Sequence, residues 1–203
     1  MESYAGGDAG AFEELLERHR RPLFGYLCRM LGSRELAEDT FQEIFIRVIN
    51  SRVTYKNTAK FATWLYRIAH NSCVDALRRE NYRKTESLFQ PVDPRGDPLT
   101  GSRAGAANGG EMLIQDVVAG SDPGPDEQLA RKQLSETLKK CIERLNPEQR
   151  EVFVLRQYQN LPFQEIGRVV GASESTVKSR MRYALNNLRS MLVAENIPEG
   201  VTL

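Results

Sequence analysis

The feature that most limits how this 203-residue chain can fold is a block, residues 86–130, that cannot build a core. It carries 7 of the 15 glycines and 5 of the 9 prolines. Stretches such as GDPLTGSRAGAANGGE (96–111) have no hydrophobic period and bury too little surface to offset their ordering entropy. EMLIQDVVAG (111–120) alone has enough apolar residues for a turn or a docking segment. The Gly-rich GAANGG follows no strand and lacks the Lys-Ser/Thr of a phosphate loop. The expected architecture is therefore two domains, about 8–85 and 131–195, joined by a flexible acidic Gly/Pro-rich linker over 86–130. A flexible tether of 45 residues has a root-mean-square reach of ~35–40 Å, enough to hold two domains on separated sites of a larger partner.

Charge follows the same division. Residues 1–85 hold 14 Lys/Arg against 11 Asp/Glu, residues 131–203 hold 12 against 8, and the block between them holds 2 against 8. Two mildly basic domains flanking an acidic segment raise nucleic acid as a partner. No apolar run approaches the ~18 residues of a membrane span, and the acidic N-terminus lacks the apolar core of a signal peptide. Cys28, Cys73 and Cys141 are widely separated and form no CxxC pair, which excludes a disulfide framework and argues against a metal site. A cytoplasmic protein with reduced thiols is expected.

Both domains read as all-α. In the first, Asp8 can cap a helix carrying Phe12, Leu15, Leu16, Leu23, Tyr26, Leu27 and Met30, which Pro22 should break or kink. Gly32 ends it, and Ser33 caps a second helix to about Ile49. Its apolar stripe is Phe41, Ile44, Phe45, Val48 and Ile49, and its opposite face is Asp39, Gln42, Glu43 and Arg47. A third helix spans about Lys60 to Arg83. Leu65, Ile68, Ala69, Ser72, Ala76 and Leu77 face inward; Arg67, His70, Asn71, Val74, Asp75 and Arg78 face outward. In the second domain Leu134, Leu138, Cys141, Ile142 and Leu145 mark one helix, and Asn146-Pro147-Glu148 starts the next. Pro162 opens a short helix that Gly171 ends. Ser173 then caps a last helix with Val177, Met181, Ala184, Leu185, Leu188 and Leu192 inward.

The sharpest motif is a helix-turn-helix. Two short helices that cross steeply need a small residue at the contact, a residue tolerant of positive φ in the turn, and a branched apolar anchor. Gly167, Gly171 and Val177 supply these, leaving Glu174, Ser175, Lys178, Ser179 and Arg182 outward on the last helix. Those positions reach base edges in a major groove, while Arg180 and Arg189 suit phosphates. A helical hairpin with a solvated cationic face is the alternative. A second candidate is Phe61, Trp64 and Tyr66, flat side chains beside cations, which suit unstacked bases in a single strand; Trp64 as a core residue is the alternative.

Three segments, in this order, resemble the extracytoplasmic-function (ECF) sigma factors, of the sigma-70 family. AEDTFQEIFIRV (37–48) is similar to region 2.2. FATWLYRIAHNSCVDALRR (61–79) is similar to regions 2.3 and 2.4, and LNPEQREVFVLRQYQNLPFQEIGRVVGASESTVKSRM (145–181) to region 4. Nothing corresponds to regions 1.1 or 3, the pattern of this short group. The resemblance implies transcription initiation: binding core RNA polymerase (its β′ clamp and β subunit) and promoter DNA. It assigns polymerase binding to Asp39, Gln42, Glu43 and Phe45. It assigns −10 recognition, as melted non-template strand with one flipped base, to Phe61, Trp64, Asn71, Arg78 and Arg79. Residues 50–60 would be the lid of the base pocket. Recognition of the −35 element as duplex falls to Glu174, Ser175, Lys178, Ser179, Arg180 and Arg182. The linker would thread near the polymerase active-site cleft. An anti-sigma factor is a possible further partner, and no cofactor or metal is implied.

The chain departs from the family pattern in places. Of the paired tryptophans that wedge the duplex open in primary sigma factors, only Trp64 matches, with Leu65 in the second place; weaker melting and a stricter −10 sequence are expected. Tyr183 stands where many relatives have arginine and Ile49 where many have tryptophan. Pro162 replaces a common serine and Gly167 a common alanine, neither of which is expected to disturb the fold. A helix-turn-helix regulator with an N-terminal sensing or dimerisation domain would explain residues 145–181 but not 37–48 or 64–79. An enzyme is not expected. His19 and His70 are the only histidines, and His70 and Asp75, five residues apart, diverge by ~140° around a helix.

Overall fold

The computed structural model describes residues 4, 6, 8–52, 55, 59–89 and 125–195. They form helices α1 (Ala9–Leu31), α2 (Arg34–Asn50), α3 (Phe61–Phe89), α4 (Pro125–Glu143), α5 (Pro147–Gln157), α6 (Phe163–Val170) and α7 (Glu174–Ala194), with no strand among the described residues. The all-α expectation holds. The segments 96–111 and 111–120 singled out above lie outside the described residues, as do residues 53–54 and 56–58 of the expected lid.

Local signals set the helix ends. The Asp8 carboxylate accepts from the Ala11 amide at 3.2 Å, the Ser33 hydroxyl from Leu36 at 3.3 Å, and the Asn146 amide oxygen from Glu148 at 3.1 Å. Gly32 takes φ 69° and donates its N–H to the Cys28 carbonyl, closing α1 with a left-handed residue that a side chain would strain. Pro22 does not break α1, the first of the two outcomes expected of it, and the helix runs on to Leu31. An internal proline costs ~3 kcal/mol. Leu23, Tyr26, Leu27 and Met30, all buried just beyond it, contribute ~1.5–3 kcal/mol each, so burial wins. Helix α3 continues to Phe89, beyond the expected Arg83, and α4 starts at Pro125, inside the Gly/Pro-rich block.

Helices α1, α2 and α3 pack mutually around Leu23, Tyr26, Leu27, Ile44, Val48, Leu65, Ala69 and Ala76. Helices α4 to α7 pack around Ile142, Val152, Leu155, Ile166, Val177, Ala184 and Leu188. Arg150 stitches the second group, its guanidinium donating to the carbonyls of Ile142 (3.1 Å), Leu145 (3.3 Å) and Glu143 at and just beyond the end of α4, where helix carbonyls run out of intrahelical donors. The two groups touch. Helix α6 lies on α3, and α1 meets α4 and α5, so the buried apolar residues form one cluster across both halves.

The expected faces hold with three exceptions. Ile49, expected inward, is 44% exposed because α2 ends over solvent. Tyr66 is buried at 3% exposure, so it offers no ring to a nucleic acid base. His70, expected outward, is half-buried against α5. Both errors on α3 have one cause, since α5 and α6 cover a side of that helix which would face water in an isolated domain.

Candidate nucleic-acid and polymerase interfaces

Helix α7 is held by the turn before it. Gly171 adopts φ 67° and ends α6. A methyl at Gly167 would sit 2.6 Å from the Ala172 carbonyl oxygen, so the small residue lets the turn close on α6. The Ser173 hydroxyl accepts from the Thr176 amide at 3.2 Å, and Val177 is fully buried as the anchor. With that side pinned, Glu174, Ser175, Lys178, Ser179 and Arg182 all stand exposed. Lys178 Nζ lies 2.6 Å from Glu174, an exposed i,i+4 pair of the kind worth only tenths of a kcal/mol, so the cation is easily released to a ligand. Arg180 differs. It points toward α5, is mostly covered, and pairs with Glu148 at 2.8 Å. Tyr183 is 53% exposed, with the Arg182 guanidinium 5.4 Å from its ring centre.

On α3, Phe61, Trp64, Asn71 and Arg78 recur at helical spacing and share one stripe. Trp64 is half-buried, edge-on to Tyr55 at 5.0 Å and 5.6 Å from Phe61, whose ring meets His19 at 5.2 Å. Core support and a partly open ring thus coexist in Trp64. Asn71 and Arg78 are exposed. Arg79 lies at the Phe61 edge of the stripe and donates to Glu43 of α2 at 3.2 Å, while Glu43 also faces Arg47 at 3.6 Å. This pair crosses an open cleft of about 210 Å³ between α2 and α3, with Leu36, Asp39, Thr40 and Ala76 on its walls. Asp39 and Gln42 are exposed beside it, whereas Phe45 turns partly inward onto Phe41, 4.7 Å away.

Sequence reasoning missed Glu151. Its carboxylate is nearly covered and takes two bonds on one oxygen, from the Tyr26 hydroxyl (2.7 Å) and from His70 Nδ1 (2.7 Å). The only sequence signal is an acid directly before the apolar run VFVL. The hydrogen bond to Glu151 raises the His70 pKa above 6.5, against an opposing effect of burial. Tyr26 and Cys73, the other titratable groups around Glu151, are both pushed upward, chiefly by burial, and stay neutral near pH 7. Burial and Arg18 push His19 the other way. Because the native His70 pKa is raised, its contribution is complete below the unfolded value near 6.5 and lost as pH rises through the native value. His70→Gln should therefore lower the melting temperature more at pH 5.5 than at pH 8.5. An equal loss at both would remove the ionised pair from the account.

Comparison with known proteins gives this arrangement its class. The Sigma-70 region 2 family model matches residues 15–83, which comprise most of α1 to α3. The Sigma-70, region 4 model matches residues 141–190, which include the helix-turn-helix. The chain is 31% identical over 192 residues to the RNA polymerase sigma factor CarQ of Myxococcus xanthus, covering 95% of each chain. It is 30% identical to the ECF RNA polymerase sigma factor SigW of Bacillus subtilis (92% of this chain, 91% of SigW). Its identity to the ECF factor SigK of Mycobacterium tuberculosis is 31% (93% and 89%). Two solved structures share the fold. The sigma factor RpoE of Bartonella quintana, in complex with the anti-sigma factor NepR, superposes with a TM-score of 0.64 at 17% identity, covering 91% of this chain and 98% of that one. CnrH, in complex with the cytosolic domain of CnrY, gives 0.62 at 19%, covering 96% and 95%. The chain belongs to the ECF sigma factors of the sigma-70 family and is a factor of transcription initiation. No described helix is long and apolar enough to cross a membrane.

Proposed function

We propose that this chain binds core RNA polymerase through region 2 and carries it to promoters whose −35 element region 4 reads as duplex. The observation that carries the reading is the exposed face Glu174, Ser175, Lys178, Ser179 and Arg182, aimed by a closed turn and a buried anchor. Lys178 and Arg182 are its best readers. Arg180 would reach a phosphate only by leaving Glu148. Phe61, Trp64, Asn71 and Arg78 on α3 would hold the melted −10 strand by stacking, edge contact and charge. Arg79 would join them after release from Glu43. The α2 face with Asp39, Gln42 and Glu43 would dock on the β′ clamp, with Phe45 supporting that face from beneath. A cytoplasmic site of action follows from these partners, and an anti-sigma factor, as NepR is to the RpoE relative, would be a regulator.

Changing Gln42 and Glu43 together to alanine should weaken polymerase binding about tenfold, the scale of one or two lost charge-assisted contacts. Unaltered affinity would return that face to solvent. The broader test mixes the purified chain with bacterial core polymerase and maps transcription starts on genomic fragments. A stable complex with defined starts supports the reading. Sequence-specific duplex binding by the chain alone, with no polymerase complex, would support an ordinary helix-turn-helix regulator instead.

A further inference from the structure

Tyr4 is only 9% exposed, although it lies ahead of the Asp8 cap that starts α1. Chain ahead of a helix start is poorly ordered unless something ties it down. Two contacts hold this ring. Phe12, the fourth residue of α1, meets it at 4.8 Å between ring centres, from the helix position that a hydrophobic staple uses. The Arg52 guanidinium lies 5.1 Å from its centre, within cation–π range. Arg52 belongs to the turn that follows α2, where its N–H donates to the Ile49 carbonyl at 3.1 Å. In the same turn the Tyr55 N–H donates to the Ser51 carbonyl at 2.9 Å. The Tyr55 ring then stands edge-on to Trp64, 5.0 Å away.

The two rings against Trp64 are placed in different ways. Phe61 sits three residues before it on the same helix, so α3 itself sets their 5.6 Å spacing. Tyr55 stands outside any helix and takes its place from the turn that carries it. The Arg52 contact and the Ser51 bond fall on adjacent residues of that turn, so what steadies one steadies the other. Resting on the −10 reading above, we propose that Tyr4 is a positioning residue for that site. Through Arg52 it braces the turn after α2, which seats Tyr55 against Trp64 and presents the Trp64 ring to the single strand in one pose. A ring already held in place loses less freedom when a base stacks on it, so the brace strengthens capture of the strand.

Trp64 is the only tryptophan of the chain, so its fluorescence reports on this site alone. In the free full-length chain, Tyr4→Ala and Arg52→Gln should each move the emission to longer wavelength as the ring gains water, with the circular dichroism helix signal retained. Tyr4→Phe keeps the ring and should keep the wild-type emission. In complex with core polymerase, the two disruptive variants should bind a fork-junction DNA, single-stranded across the −10 element of a mapped promoter, about three- to tenfold more weakly. Their combination should cost no more than the larger single effect, because both act through one contact. Unchanged emission in both variants overturns the brace, and so does a Tyr4→Phe variant that shifts as far as Tyr4→Ala. Shifted emission with wild-type DNA binding overturns the positioning role when Trp64→Leu binds the same DNA weakly. Should Trp64→Leu bind it normally, the −10 reading fails and the brace on Trp64 stands. If Tyr4→Ala loses helix signal, Arg52→Gln decides by the same readings.

Discussion

Transcription from a promoter of this factor is expected to fall about 10–100-fold when Lys178 and Arg182 are both replaced by alanine, with polymerase binding unchanged. Each is exposed on the outer face of α7, and a side chain that contacts a base edge is worth ~1–3 kcal/mol of specific binding. Their loss costs the free protein little. Among the described residues, Lys178 forms an exposed pair with Glu174 and Arg182 a ring contact with Tyr183. Stability should stay within ~0.5 kcal/mol of wild type, the usual range for surface changes. Start-site-resolved transcription at fixed polymerase saturation separates the two effects. Full activity in the double variant would mean that α7 is not the reading helix. Arg180→Ala is a contrasting control: it breaks the bridge to Glu148, so it should lower the melting temperature as well as transcription.

The second large effect is expected at Gly167. A methyl there would lie 2.6 Å from the Ala172 carbonyl oxygen, a backbone atom that cannot swing aside. Gly167→Ala should destabilise the chain by ~1–3 kcal/mol, as overpacking does, and Gly167→Val by more. The strain falls on the turn that aims α7, so −35-dependent transcription should drop further than global stability. Thermal unfolding and transcription below the melting temperature test both parts. An alanine variant as stable and active as the wild type would show that the turn relaxes without loss. The expectation that this departure from the family's common alanine leaves the fold undisturbed holds for glycine, which is present. It does not extend to alanine, because here the turn has closed to a distance only glycine permits.

Much of this was legible beforehand for identifiable reasons. Caps are local: Ser33, Asn146 and Ser173 each hydrogen-bond an amide two or three residues on, so spacing alone located the helix starts. Amphipathic faces are nearly local, and the core positions of α7 followed from period 3.6. The three motif blocks were legible because regions 2 and 4 keep recognisable order and spacing. Pro22 shows in the sequence only its local penalty, without the burial that outweighs it. Glu151 left almost no trace, since an acid among apolar residues does not name its partners.

The sequence by itself therefore determined the helices, their caps, the helix-turn-helix and the family, all properties of contacts within about four residues or of motifs read in order. The tertiary structure alone decided which side of α3 is covered, that Tyr66 and His70 face protein rather than solvent, and that Arg180 turns to Glu148 while Lys178 and Arg182 stay exposed. It also brought Glu151 to Tyr26, 125 residues away in the chain. Periodicity shows that a helix has an apolar side. It carries no term for a second domain arriving on another side, because that contact depends on where a distant segment comes to rest.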